Sequence, residues 1–244
     1  MRFTPSAALS ARVQSIDIVE SDGGSSFVLP STSAVLGLQF GGKVRSEERT
    51  LSSAGMTGLQ RFARTYSYIG KTRSILVRFT PDGATCLGIP ANEISDESVD
   101  LGDLLPRSIV SDISERLHEA TGDAERIAIV EQFLRSLPFE RDALVARALT
   151  LLANAHDAPS VASVAEQLSM SERQLERRFI AQVGISPKKY ARLRRFENAV
   201  ALSRSATTLT GVANAAGYYD QSHFIRDFHA FTGMAPSGAL WKTR

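Results

Sequence analysis

The chain contains SVASVAEQLSM at residues 160–170 and, 48 positions later, TLTGVANAAGY at residues 208–218. Each stretch begins with a hydroxyl residue that can cap the first turn of a helix. Each also has an alanine at its sixth position and a small residue, Ser169 or Gly217, at its tenth. Internal repetition of this kind indicates that one supersecondary unit occurs twice in the chain.

The similarity continues beyond Ser169 and Gly217, but the offset becomes 49, so the second copy has one additional residue in its turn. The corresponding pairs are Leu175 and Phe224, Phe179 and Phe228, Gly184 and Gly233, and Pro187 and Pro236. Apolar residues four positions apart form one buried stripe of a helix, and glycine suits the left-handed residue that ends it. We therefore predict two helix-turn-helix units, with Ser171 and Asp220 capping the second helix of each.

The segments around the two units extend the helical pattern. Proline is favoured at the first position of a helix, so Ser186-Pro187 is expected to start a linker helix. Residues 187–204 would give it a length of roughly 27 Å, and adjacent major grooves on one face of DNA are ~34 Å apart. Another amphipathic helix is predicted over residues 143–155 and ends at His156-Asp157-Ala158-Pro159. The alternative to two helix-turn-helix units is a plain bundle of repeated helices that does not bind DNA.

The first hundred residues have the pattern of short β-strands joined by loops. Val35–Phe40 is followed by Gly41-Gly42, and Ser74–Phe79 by Pro81-Asp82-Gly83, so each strand is expected to end at a turn. Gly23-Gly24 and Gly41-Gly42 are interpreted as hairpin turns.

Helical spacing of apolar residues begins after Leu104, and Pro138 closes that segment. The predicted fold is therefore α+β. A β-rich N-terminal domain with trailing helices covers residues 1–140, and an all-α domain with two helix-turn-helix units joined by a long helix covers residues 141–244. Residues 1–140 contain 14 basic and 18 acidic residues, a net charge of −4, whereas residues 141–244 contain 14 and 8, a net charge of +6. This asymmetry favours contact between the basic part and a polyanion.

Several functional classes lack their sequence signatures. The chain has one cysteine, Cys86, which we interpret as a buried thiol and which excludes an intrachain disulfide. All four histidines lie outside the predicted β-rich part, so we expect no metal site there. There is no phosphate-cradling glycine loop and no nucleophile motif, so we expect no enzyme activity and no cofactor. No apolar run approaches the roughly 18 residues that span a bilayer and the N-terminus lacks a signal-peptide pattern, so a cytoplasmic location is expected.

The C-terminal sequence resembles the AraC/XylS family of bacterial transcription regulators over about residues 143–241. The most specific stretch is GYYDQSHFIRDF at residues 217–228, followed by FTGMAP at residues 231–236. SERQLERRF at residues 171–179 and GISP at residues 184–187 resemble the first unit of that family. The resemblance implies that both recognition helices lie in successive major grooves of one DNA face.

The second unit departs from the family pattern in two places. Gly211 lies inside a short helix, at a cost of about 1 kcal/mol relative to alanine, and His229 stands where a lysine is common in the family. Both departures indicate a looser second unit.

The N-terminal part is similar to a cupin-like β domain that precedes some of these regulators. The similar residues are LP at residues 29–30, RFTPDG at residues 78–83 and GIPANEISD at residues 88–96. In the wider family such domains sense a small molecule or form a dimer, so the resemblance implies either a sensor domain for a small-molecule effector or a dimerisation domain.

The predicted DNA-contacting residues of the first recognition helix lie in its N-terminal half. With its apolar stripe buried, the helix would expose Arg173, Glu176 and Arg177. The two arginines can each bind guanine O6 and N7, and Glu176 can accept a hydrogen bond from cytosine or hold an arginine in place.

In the second recognition helix the corresponding face would expose Gln221, Ser222 and Arg226. Gln221 can bind adenine, and Arg226 can bind guanine or phosphate. The linker helix adds Lys188 and Lys189, which we expect to contact phosphates. The alternatives for this basic run are a solvated helix face or ion pairs with the acidic N-terminal part.

Together these patterns predict a sequence-specific DNA-binding transcriptional regulator whose activity a small molecule modulates at the N-terminal domain. Its expected partners are double-stranded DNA and RNA polymerase, and it would act as a monomer or homodimer. The alternative is a ligand-binding or scaffold protein whose basic helical half binds another protein.

Overall fold

The computed structural model describes residues 1–46, 49–153, 159–204 and 208–236. In the described N-terminal residues the strands form one antiparallel sheet. They are β1 (Arg2–Phe3), β2 (Val13–Ser21), β3 (Gly24–Val28), β4 (Val35–Ser46), β5 (Ala54–Thr57), β6 (Arg64–Phe79) and β7 (Ser98–Asp100). Their order is β1-β2-β6-β4-β5-β7, and β3 also pairs with β6. The 16-residue strand β6 is thus the centre of the sheet, because it pairs with β2, β3 and β4.

The chain keeps its direction through Gly23-Gly24. Strands β2 and β3 are both antiparallel to β6, with Ser21 opposite Thr72 and Gly24 opposite Tyr68. The prediction of a hairpin turn here is therefore wrong, since the two strands follow one another along the same partner.

Strand β4 continues through Gly41-Gly42, so the predicted turn there is also wrong. The register against β6 shifts between Gln39 and Gly41 and again between Gly41 and Lys43, which identifies β-bulges. Gly42 has a φ of +64°, and a Cβ on it would lie 2.6 Å from the Thr72 Cγ2 atom. Glycine is required here by a close backbone approach, and sequence alone does not distinguish that requirement from a turn.

Side chains alternate between the two faces of the sheet. On one face they meet helices α1 (Arg107–Glu119) and α2 (Asp123–Ser136) in an apolar core. Members of this core are Ile16, Leu36, Leu38, Ile75, Val77, Phe79, Ile113, Leu117, Val130 and Leu134. The intervening residues of β4 and β6 face a cavity on the opposite side of the sheet.

The C-terminal part is helical in all its described elements. They are α3 (Ala143–Leu152), α4 (Val161–Gln167), α5 (Glu172–Val183), α6 (Pro187–Ser203), α7 (Leu209–Ala215) and α8 (Gln221–Thr232). The predicted helix over residues 143–155 ends at Leu152, and residues 154–158 lie outside the described ranges. The linker helix α6 begins and ends within one residue of its predicted bounds.

A second apolar core holds these helices together, and its largest side chains are aromatic. Phe179, Phe196, Phe224 and Phe228 are each fully buried. Along the chain the first core ends with Leu137 and the second begins with Val145. We call residues 1–140 the β domain. One of its residues, Leu59, is buried in the second core. The predicted α+β fold, with a β-rich part followed by an all-α part, is confirmed.

Candidate nucleic-acid interface

The two helix-turn-helix units, α4–α5 (unit 1) and α7–α8 (unit 2), close their turns with the same hydrogen bond. In unit 1 the Met170 amide donates to the Ala165 carbonyl at 2.9 Å, and in unit 2 the Tyr218 amide donates to the Ala213 carbonyl at 2.9 Å. The small buried alanines allow the two helices of each unit to approach closely. The units are therefore duplicates in geometry as well as in sequence.

The residue before each of these amides has a left-handed backbone. Ser169 has a φ of +54° and Gly217 a φ of +80°. Side chains other than glycine rarely adopt this conformation, and serine is small enough to accept it at a modest cost. The prediction that small residues close both turns is thereby explained.

Each recognition helix is capped as its sequence predicts. The Ser171 hydroxyl accepts from the Gln174 amide, and the Gln174 side chain accepts from the Ser171 amide, which completes a capping box. In unit 2 the Asp220 carboxylate accepts from the His223 amide at 2.7 Å. These bonds fix the first residue of α5 and of α8, and hence the direction of the side chains that follow.

Helix α5 presents the predicted contact residues to solvent. Leu175 and Phe179 are fully buried, whereas Arg173, Glu176 and Arg177 are exposed. Among the described residues no hydrogen bond or ion pair engages these three side chains. Their guanidinium and carboxylate groups are free to bind an external partner.

Helix α8 presents a smaller polar face. Ser222 and Arg226 are exposed, but Gln221 is half-buried and its Oε1 accepts from the Thr210 hydroxyl at 2.6 Å. Adenine recognition uses both ends of the glutamine amide. A contact from Gln221 to adenine would therefore compete with this internal hydrogen bond.

The basic run of α6 divides into two groups. Lys188 and Lys189 are exposed, as predicted for phosphate contacts. Arg192 is paired with Asp227 at 2.8 Å, Arg194 is paired with Glu197 at 2.6 Å, and the Arg195 guanidinium lies 5.4 Å from the centre of the Tyr218 ring. These three arginines stabilise the helical part internally, and no sequence pattern indicates their partners.

Burial and charge act together on Tyr218. Burial of its hydroxyl, together with the nearby Asp227 carboxylate, raises the pKa of Tyr218 above its usual range. This shift further favours the neutral phenol, whose buried hydroxyl has no hydrogen-bond partner among the described residues.

A cavity of about 410 Å³ lies on the sheet face opposite the first core. Its apolar lining comes from Val19, Val28, Leu29, Val35, Val44, Leu76 and Val99. Its polar groups include Arg49, Arg78, Tyr66, Tyr68 and Glu97. A concave site of this size with convergent polar groups is typical of small-molecule binding sites. No local sequence pattern marks it, since its walls come from strands that are distant in the chain.

The β domain contacts linker helix α6 beside this cavity. The Thr32 amide donates to Glu197 Oε1 at 2.8 Å and the Thr32 hydroxyl donates to Glu197 Oε2 at 2.9 Å. Thr32 lies between Ser31 and Ser33, which both line the cavity. The residue between two lining residues of the cavity is thus hydrogen-bonded to the helix that joins the two units.

The β domain also contacts each unit separately. The Ser95 hydroxyl donates to the Gly184 carbonyl at 2.9 Å, at the end of α5. The Ala63 amide donates to the Phe231 carbonyl at 2.9 Å, near the end of α8. The β domain is therefore hydrogen-bonded at the C-terminal ends of both recognition helices.

We also searched the described residues for a metal site, a reactive thiol and a membrane-spanning helix. No group of three or more His, Cys, Asp or Glu side chains there is placed to hold a metal ion. Cys86 is buried as predicted, and burial raises the pKa of its thiol to about 11. Among the described helices none is long and apolar enough to cross a membrane.

Comparison with known proteins identifies the duplicated region. Residues 164–240 match the family model of a helix-turn-helix domain. The transcriptional activator RhaS of Shigella boydii is 35% identical over 75 residues, which cover 30% of this chain and 27% of that protein. The uncharacterized transcriptional regulator YidL of Escherichia coli is 34% identical over 95 residues, which cover 38% of this chain and 32% of that protein. The matches thus span about a third or less of the curated relatives.

The similarity in structure extends over both parts of the chain. ToxT from Vibrio cholerae superposes with a TM-score of 0.52, at 11% sequence identity, over 93% of this chain and 97% of that chain. A crystal structure of ToxT with bound unsaturated fatty acid has a TM-score of 0.51 at 11% identity, over 93% of this chain and 94% of that chain. At this level of identity the comparison establishes a shared fold.

Proposed function

We propose that this chain, whose duplicated C-terminal region is an AraC-type helix-turn-helix domain, is a sequence-specific DNA-binding transcriptional regulator. One observation carries the proposal. Helices α5 and α8 each bury one apolar stripe and leave the opposite, arginine-bearing face in solvent. The 17-residue helix α6 joins them with a length of about 26 Å, so each helix can enter a major groove of the same DNA face.

The proposed contacts divide by role. Arg173 and Arg177 read guanine from unit 1, and Glu176 accepts from cytosine or orients one of them. Lys188 and Lys189 neutralise phosphates and position the domain without selecting a sequence.

Unit 2 supplies the remaining proposed contacts, from Gln221, Ser222 and Arg226. Because Gln221 already accepts a hydrogen bond from Thr210, we assign this unit a larger share of positioning than of base selection. Residues 141–244 are the proposed DNA-binding domain and residues 1–140 the proposed regulatory domain. RNA polymerase as a further partner, and a monomeric or dimeric state, remain predictions.

The decisive experiment selects duplexes from a randomised DNA pool with the full chain and then titrates a selected duplex at several salt concentrations. Neutralised phosphates release counterions, so log K should fall linearly with log salt, with a slope of about −0.9 per phosphate contacted.

The double variant Arg173→Ala/Arg177→Ala should lose selection of a common sequence. Lys43→Ala/Lys71→Ala removes the same charge from the exposed surface of the β domain and should bind as the parent does. A salt-independent affinity, or equal loss in both double variants, would favour the protein-binding alternative.

The cavity supports a second part of the proposal, that the β domain binds a small molecule which modulates DNA binding. Its volume falls in the range of about 300–1,000 Å³ typical of ligand sites. Its wall includes Ser31 and Ser33, which flank the Thr32 bond to α6, so an occupant would act on the linker helix through one residue. ToxT, which shares the fold, has been crystallised with an unsaturated fatty acid, which makes that class of compound a reasonable first probe.

Ligand binding can be tested by following the thermal midpoint of the full chain with an unsaturated fatty acid and with a panel of neutral sugars. A ligand that binds only the folded state raises the midpoint. Gly37→Leu provides the control, because Gly37 lines the cavity and a Cβ there would meet its nearest neighbour, Leu76 Cδ2, at an ordinary 3.8 Å. The larger side chain should fill the cavity and abolish the shift. A shift that persists in Gly37→Leu would place the binding site elsewhere.

A further inference from the structure

The additional residue of unit 2 can be identified from the backbone hydrogen bonds. Met170 and Tyr218 occupy equivalent positions, because the amide of each donates to the alanine at the crossing of its unit. In unit 1 the helix cap, Ser171, follows at once, whereas in unit 2 the cap is Asp220. The inserted residue is therefore Tyr219.

The inserted side chain lies outside the packed interior of unit 2. Tyr218 is 4% exposed, and its ring lies 5.3 Å from that of Phe224 and 5.2 Å from the imidazole of His223. Tyr219 is 92% exposed. The insertion thus extends a phenol from the turn, one residue before the Asp220 cap of α8.

We propose that the Tyr219 hydroxyl donates a hydrogen bond to a DNA phosphate at the edge of the groove that α8 enters. The inference rests on the proposed DNA-binding function. Tyrosine is among the side chains that contact phosphate oxygens in protein–DNA complexes. When the N-terminal half of a recognition helix faces the bases, the residues of the turn just before its cap lie at the groove edge, where phosphates are the nearest acceptors.

The neighbouring side chains favour a phosphate over a base or a protein partner. The Asp220 carboxylate beside the phenol caps α8 by accepting from the His223 amide at 2.7 Å. The further polar and basic groups within two turns of Tyr219 are the exposed side chains of Ser222 and Arg226. Unit 1 has no such group, since Met170 at the equivalent turn packs against the apolar core. Tyr219 would compensate in unit 2 for a reading face that has one arginine where unit 1 has two.

The test compares the full chain with Tyr219→Phe and Tyr219→Ala on a duplex selected from a randomised pool, with Ile69→Ala as a control at an exposed apolar residue of the β domain. We expect Tyr219→Phe to bind on the order of tenfold more weakly, as for a lost hydrogen bond to a charged group. The slope of log K against log salt should stay unchanged, because a neutral phenol releases no counterion.

Ethylation interference should show one phosphate whose modification weakens binding by the parent chain and does not weaken binding by Tyr219→Phe. The thermal midpoints should agree, since the side chain lies in solvent.

Three other outcomes would contradict the proposed phosphate contact, and each indicates a different reason. Binding of Tyr219→Phe within twofold of the parent excludes a hydroxyl contact, and loss in Tyr219→Ala alone assigns the effect to the ring. If the parent chain itself binds no duplex in a salt-dependent manner, the proposed function fails and this contact fails with it.

Discussion

Arg192 of the linker helix and Asp227 of the second recognition helix form an ion pair in which Arg192 Nε donates to Asp227 Oδ1 at 2.9 Å and Arg192 Nη2 lies 2.8 Å from the same oxygen. The Asp227 side chain is only 6% exposed. The equivalent position in unit 1, 49 residues earlier, is Arg178, which pairs at 3.4 Å with Asp142 at the start of α3. Both recognition helices are therefore tied, at the same position and with opposite charge, to the helix that precedes their unit.

Replacing Arg192 with methionine should destabilise the helical part by about 1–3 kcal/mol. The change leaves a buried carboxylate without its cation, and this costs more than the loss of an exposed pair, although water reaches the half-exposed side of Arg192. Urea unfolding measures the difference. Arg178→Met is the control, with an expected loss of about 0–1 kcal/mol because its carboxylate partner Asp142 is 22% exposed and the pair is longer, at 3.4 Å.

The double variant Arg192→Met/Asp227→Leu separates the ion pair from other effects of the arginine. Removing both charges also removes the desolvation cost, so much of the stability should return. If Arg192→Met and Arg178→Met are equally mild, the pair contributes little to the stability of unit 2.

Gly184 and Gly233 should respond differently to alanine although they occupy equivalent positions. Both have a left-handed backbone, with φ of +93° and +69°, so each substitution carries a strain of about 1–2 kcal/mol. At Gly233 no atom lies within 4 Å of the added Cβ, but at Gly184 the Cβ would be 2.3 Å from the Ser95 hydroxyl of the β domain. Gly184→Ala should therefore destabilise the chain more, as measured by urea unfolding.

A second measurement on the same pair locates the effect. Hydrogen exchange should become faster around residues 91–96 of the β domain in Gly184→Ala and stay unchanged there in Gly233→Ala. Equal stability losses without a change in exchange would show that Ser95 moves aside at no cost.

Glu197→Gln should loosen the contact between the cavity wall and the linker helix. The glutamate accepts from the Thr32 amide, the Thr32 hydroxyl and Arg194, and a carboxylate is about twice as strong an acceptor as a neutral oxygen. A loss of about 1 kcal/mol corresponds to roughly fivefold faster exchange of the Thr32 amide.

Glu131→Gln is a matched control for that measurement. Glu131 accepts from the Ser6 amide at 2.8 Å and from Arg135 at 2.9 Å, but all three residues belong to the β domain. The Ser6 amide should exchange faster in this variant while the Thr32 amide does not. If a ligand for the cavity is found, its effect on DNA affinity should fall in Glu197→Gln and persist in Glu131→Gln.

Arg177→Ala should relax base preference more than Arg226→Ala does. Loss of a guanine contact costs about 1–3 kcal/mol at one base position, whereas loss of a phosphate contact weakens all sequences alike and reduces the salt slope by about one. Competition between selected and single-base-substituted duplexes distinguishes the two effects. Equal or reversed losses of discrimination would contradict the assignment of base selection to unit 1.

The sequence by itself determined the features that depend on residues close together in the chain. The two turns, the caps at Ser171 and Asp220 and the apolar stripes of α5 and α8 follow from short spacings, because capping and helical periodicity act within about one or two turns. The exposure of Arg173 and Arg177 follows from the same periodicity.

Tertiary structure alone decided the features that join distant residues. Thr32 and Glu197 are 165 positions apart, and no local pattern predicts which carboxylate accepts from a given amide. The glycines at 41 and 42 lie at bulges and not in a turn, and strand β6 approaches Gly42 closely. The cavity, the partners of Arg192 and the contact of Ser95 with Gly184 arise in the same way. They depend on which elements distant in the chain pack against one another, whereas sequence periodicity records only which residues are buried.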